Sequence, residues 1–167
     1  GPVAPGAPSA QTQIDTHTRV LDPRQLLDME RLLDAIADRR VVLVGESHDR
    51  YEDHLNQLQV IEGLARRGKD LAIGMEFFQQ PYQAALDDYV AGRIDEAAML
   101  RRTEYFDRWR FDYRLYRPIL RFAREHRIPV IALNLESEVT RRVSEVGIDG
   151  LSKEEREECR RVIKNVK

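Results

Sequence analysis

Three short runs of apolar residues interrupt a chain that is otherwise patterned in helical periods. The runs are Val41-Val42-Leu43-Val44, Leu71-Ala72-Ile73-Gly74-Met75 and Pro129-Val130-Ile131-Ala132-Leu133. Each is four or five residues long, rich in branched side chains and bounded by charge, glycine or asparagine, which predicts strands buried on both faces. Helical spacing surrounds them. Leu26, Met29, Leu33 and Ile36 predict a helix over 23–38, with Asp22 as N-cap and Pro23 in its first turn. Leu55, Leu58, Ile61 and Ala65 predict a second over 51–67, ended by Gly68. Further helical patterns cover 81–90, 95–101, 113–126 and 136–146, and Ser152 with Glu155 forms a capping box that opens a last helix.

Strands alternating with helices predict an α/β fold, a parallel sheet with right-handed crossovers and helices on its faces. About fifty residues separate the second and third strands, more than a crossover helix needs. The excess, about 79–127, is read as a helical lid or subdomain inserted between strands two and three. Three strands make a thin sheet, so the expected domain, 14–167, is read as C-terminally incomplete. Residues 1–13, rich in Pro, Gly and Ala, read as a disordered leader or tether.

Composition narrows the function classes. With 167 residues, 42% hydrophobic and 34% charged, the chain has material for one core and apolar runs far too short to span a bilayer. A net charge of −2 argues against a general nucleic-acid binder. The single cysteine, Cys159, excludes an internal disulfide and a cysteine-based metal site.

Candidate chemistry gathers where the strands end, the edge at which open α/β sheets bind ligands. The first run leads into Gly45-Glu46-Ser47-His48, the second into Glu76-Phe77-Phe78 and the third into Asn134-Leu135-Glu136. His54 falls on the inward stripe of the following helix. Glu46, His48, His54 and Glu76 suit a divalent metal. Glu46, His48 and Glu76 equally suit acid–base catalysis of a hydrolysis. The plain structural alternatives are carboxylates that cap a helix or pair with arginine, and a hydrogen-bonded core histidine. His17 and His126 read as structural.

A second feature is the stretch 101–124, with eight arginines against three acids, interleaved with Tyr105, Phe106, Trp109, Phe111, Tyr113, Tyr116 and Phe122. Aromatic faces beside guanidinium groups suit a flat apolar ligand carrying carboxylates, and a tyrosine suits ferric iron in a haem. Single-stranded nucleic acid fits the same composition. The alternative is a core of aromatics with a solvated arginine face.

The segments 41–49, 74–79, 116–120 and 128–134, in that order, resemble the ChaN-like family, haem-binding lipoproteins of the group that contains the Tiki proteases, TraB proteins and erythromycin esterases. The likeness covers about 15–155. It implies a haem-binding protein of bacterial iron acquisition in the periplasm or at the outer-membrane surface. It implies a lipid anchor upstream and a homodimer holding haem at its interface, with tyrosine as the iron ligand. Together with the arginine- and tyrosine-rich stretch, it points to Tyr105, Arg110, Tyr113, Tyr116 and Arg117 as haem contacts, while the net charge points away from nucleic acid as a partner. In the wider group Glu46 and His48 correspond to acid–base or metal residues. Many relatives have two adjacent histidines where this chain has Asp53-His54, and they continue beyond this C-terminus.

Overall fold

The computed structural model describes residues 22–165, side chains at 158 and 161–165 excepted. The expectations for the leader 1–13, for order beginning at residue 14 and for His17 lie outside the described residues. Asp22 accepts a bond from Arg24 N and caps a short 3-10 turn, Pro23–Gln25. The helix proper, α1 (Met29–Ile36), starts only at a second cap, Asp28, whose Oδ1 accepts from Arg31 N at 2.8 Å. Two acidic caps six residues apart therefore divide what the periodicity reads as one helix. Helix α2 (Tyr51–Arg66) ends before Gly68, whose φ of +71° suits glycine.

Among the described residues two strands form the sheet, β1 (Ile73–Gln79) and β2 (Val130–Asn134). They pair in parallel, Ile73 opposite Val130 and Met75 opposite Ala132, before an irregularity places Gln79 opposite Asn134. Between them run α3 (Gln83–Val90), α4 (Glu96–Arg102), the single turn α5 (Tyr105–Arg108) and α6 (Arg117–Glu125). Asp95 caps α4 through Ala98 N at 2.7 Å. After the sheet come α7 (Ser137–Val146) and α8 (Lys153–Asn165). The predicted capping box is present, with Ser152 Oγ accepting from Glu155 N and Glu155 Oε2 from Ser152 N. No described helix is long and apolar enough to cross a membrane.

The helices between the strands share one core with the sheet. Met75, Phe78, Val130 and Ala132 of the strands pack with Leu86, Tyr89, Met99, Tyr105, Tyr116 and Leu120, all buried. Full burial of one such large side chain contributes about 1.5–3 kcal/mol. Tyr105, Tyr113 and Tyr116 of the stretch 101–124 are therefore core material, whereas Phe106 is 71% exposed. A smaller cluster, Leu33, Val60 and Leu64, joins α1 to α2.

The predicted first strand is corrected. Segment 41–44 carries no strand pairing, and only Val42 packs inward, on the α1–α2 cluster. Val41 is 66% exposed and Leu43 92%. Branched apolar residues favour extended backbone, but a strand exists only where a neighbour accepts its hydrogen bonds. Among the described residues none does.

Candidate functional site

The loop between segment 41–44 and α2 is shaped by side chains of α2. Asp53 Oδ2 accepts from Ser47 N at 2.9 Å, and Gln57 Nε2 donates to Val44 O at 3.0 Å. A turn closes with Arg50 N donating to Ser47 O. Asp53 thus fixes the backbone of the loop.

This loop brings Glu46 and His48 together, with Glu46 Oε1 2.5 Å from His48 Nδ1. A carboxylate only accepts, so Nδ1 donates the proton in this contact, which in the neutral imidazole leaves the lone pair on Nε2. Glu46 Oε2 is buried without a hydrogen-bond partner and lies 3.6 Å from Nε2 of His54. His54 is buried, as its place on the inward stripe predicts. Acceptors face both of its nitrogens: Gln57 Oε1 at 3.1 Å from Nδ1 and His48 O at 3.0 Å from Nε2.

Tyr116 forms the floor. Its hydroxyl donates to His48 O at 3.2 Å and accepts from Trp109 Nε1 at 3.2 Å. Its ring stacks on Phe77 at 3.9 Å and meets His54 edge-on at 4.7 Å. Burial pushes its phenol above the usual range, helped by the negative charges of Glu46 and Asp49. Trp109 and Phe111 hold the His48 ring edge-on from two sides, at 5.0 and 4.9 Å. His48, Phe106, Asp107, Arg108, Trp109, Arg110 and Phe111 line a depression of about 420 Å³, open to solvent.

The other sequence-predicted residues are dispersed. Glu76 is exposed on β1 and makes no bond to Glu46, His48 or His54. No three or more His, Cys, Asp or Glu side chains among the described residues are disposed to hold a metal ion, so the divalent-metal expectation for Glu46, His48, His54 and Glu76 has no support in the geometry. Asn134 lies opposite Gln79 in the sheet. Tyr105 is buried and donates to Phe111 O at 2.7 Å. Tyr113 is buried and donates to Glu96 Oε2 at 3.2 Å, and Arg117 pairs with the same carboxylate at 2.9 Å. Arg110 is exposed and rests over the Phe111 ring. Cys159 is free and half-buried on α8.

Arg108 and Gln57 are structural partners that the sequence pattern did not single out. Arg108 donates to Gln79 Oε1, Ser137 Oγ and Glu138 Oε2, tying α5 to the end of β1 and the start of α7. The dense alternation of arginine with aromatics over 105–111 was the available signal for the depression. Nothing local marks which arginine turns inward.

The model of a family described as "Haem-binding uptake, Tiki superfamily, ChaN" matches residues 32–165. Among curated proteins, the chain is similar to Protein RETICULATA-RELATED 5, chloroplastic, of Arabidopsis thaliana. The two are 26% identical over 136 residues, which cover 77% of this chain and 18% of that protein. The chain thus spans about a fifth of the length of that relative. No solved structure matches.

Proposed function

The chain belongs to the ChaN family of haem-binding uptake proteins in the Tiki superfamily, and on that footing we propose that it binds haem on the open face at His48 in the service of bacterial iron acquisition. The observation that carries the reading is the coincidence of this family with one depression lined by an imidazole, three aromatic rings and two guanidinium groups. Flat aromatic walls match a macrocycle, and arginine matches its propionates. Phe106, 71% exposed, and Arg110 are the wall residues free to meet a ligand. Arg108 is held by Glu138 at 2.9 Å.

A haem has two faces, and an open depression covers one. We extend the proposal to a homodimer whose second copy covers the other, and to a lipid-anchored location in the periplasm or on the outer-membrane surface. The family resemblance supports both. The test is a titration of the haem-free protein with ferric haem, followed by visible absorption with molecular mass measured in parallel. A saturable shift of the haem absorption with dimer appearing alongside is expected. No shift would overturn the haem reading.

A second reading, hydrolysis, is favoured by one observation: a buried carboxylate oxygen of Glu46 without a hydrogen-bond partner, beside a carboxylate–imidazole pair. Such a pair is suited to activating water.

A further inference from the structure

Arg108 lines the depression, yet its guanidinium is engaged elsewhere. The side chain is 13% exposed and lies over the Tyr82 ring at 4.8 Å. The two ends of the guanidinium differ. Nη1 is anchored by three short contacts, donating to Gln79 Oε1 at 2.8 Å, Glu138 Oε2 at 2.9 Å and Ser137 Oγ at 3.0 Å. Nη2 makes two longer ones, to Glu138 Oε1 at 3.2 Å and Glu104 Oε2 at 3.3 Å. Nε is buried without a hydrogen-bond partner. Arginine meets carboxylates through pairs of parallel bonds. The Nε–Nη2 edge is such a fork, with one donor unmatched and the other loosely held. A buried donor left unmatched is costly, and a ligand carboxylate on this edge removes that cost.

Two carboxylates already face this one guanidinium, and both repel a third. Glu104 opens α5 at φ 51° and also accepts from the Tyr82 hydroxyl, so it belongs to the wall. Glu138 comes from another element, the first turn of α7, and its side chain is 51% exposed. It can swing to solvent without moving α5. Gln79 and Ser137 keep Nη1 in place when it does. Glu138 thus occupies, as a carboxylate of the chain itself, the arginine that an acidic ligand needs. Arg110, exposed over the Phe111 ring, is the other cation of the wall.

We propose that Arg108 selects ligands that carry a carboxylate, through its Nε–Nη2 edge, and that Glu138 is an internal competitor that yields this arginine when such a ligand enters. In the haem reading the carboxylate is a propionate. The step is an exchange of hydrogen bonds, and no covalent bond changes. Binding releases one tie between α5 and the start of α7, so the helix after the sheet senses whether the depression is filled.

The inference rests on the haem reading, and the experiment separates the two. Haem and haem dimethyl ester, whose propionates carry no charge, are titrated into wild type, Glu138→Gln and Glu145→Gln. Glu145 is exposed about two turns further along α7 and controls for the general loss of a negative charge. Wild type is expected to bind haem at least about tenfold more tightly than the ester. Glu138→Gln is expected to bind haem about threefold to fivefold more tightly than wild type, with ester affinity and circular dichroism unchanged. Glu145→Gln is expected to match wild type. A second measurement needs no variant of Glu138. The Arg108 Nε–H resonance of the wild type, followed by nitrogen NMR with diamagnetic gallium protoporphyrin, is expected to move downfield with the free acid and not with the dimethyl ester. Haem affinity unchanged in folded Glu138→Gln, an equal gain for haem and ester, or an Nε–H that does not distinguish acid from ester overturns the exchange and leaves haem binding standing. A wild type that takes up no haem overturns both.

Discussion

Glu46 concentrates the electrostatics of the site in one side chain. One oxygen serves His48; the other is buried 3.6 Å from His54 and short of a hydrogen bond. Leaving a buried acceptor unmatched costs about 1–3 kcal/mol, so its retention points to a role in the site. Glu46→Gln keeps the size of the side chain and removes its charge. Under the haem reading it weakens haem affinity about tenfold, because the His48 ring at the wall of the depression loses the bond that orients it. Under the hydrolytic reading it lowers turnover by about 10²–10⁴-fold. Haem titration and an ester and peptide hydrolysis screen on the same two proteins separate the outcomes, and we expect the affinity change. Hydrolysis that persists unchanged in the variant would remove Glu46 from catalysis.

The aromatic elements behave as a unit at high pH. Burial pushes Tyr89, Tyr105, Tyr113 and Tyr116 upward, and burial with a hydrogen bond to Glu104 pushes Tyr82 up to about 12. A phenol with a raised folded pKa keeps its proton longer in the folded chain than in the unfolded one. Its stabilising contribution is complete below pH 10, the ordinary value, and is lost as pH rises through the folded value. Stability should therefore fall steeply from pH 10 toward 12, with phenolate absorbance and loss of circular dichroism rising together. Phenolate appearing while the circular dichroism is intact would mean that these tyrosines are accessible. The same rings mark the limit of sequence reading at this scale. Helical spacing placed His54 on an inward stripe, and it is buried, but it did not place these rings. Their role was harder to read, because arginine–aromatic alternation looks alike in a ligand face and in a core with a charged rim. Phe106, Arg108, Trp109, Arg110 and Phe111 line the depression, whereas Tyr105, Tyr113 and Tyr116 turn into the core. Helix α5 left no periodic signal, since a single turn begun by Glu104 at φ 51° is held by tertiary bonds through Arg108.

At the scale of the molecule, the second and third predicted strands pair in parallel as their runs imply, and the first run, 41–44, does not pair. Periodicity measures the apolarity of one segment, whereas a ladder needs two. The result is an unpaired apolar segment with Val41 and Leu43 turned to solvent, and unpaired backbone beside apolar side chains can template association with other chains. Leu43→Lys should reduce concentration-dependent self-association of the haem-free protein, measured by analytical ultracentrifugation, with little change in thermal midpoint. Association unaffected by this charge would place the adhesive surface elsewhere.

The bond from Tyr116 to His48 O spans 68 positions in the chain, and the β1–β2 register joins Ile73 to Val130. Closing such long loops costs entropy before any contact is gained, which makes them late events in folding. The floor of the site therefore forms with the whole core and not ahead of it. The Glu46–His48 loop is held from one side by Asp53 and from the other by Tyr116, so it can open locally while the core stays folded. A ligand bound at His48 would then act as the last fastener of the fold, and its release would begin as a small unlatching of this loop.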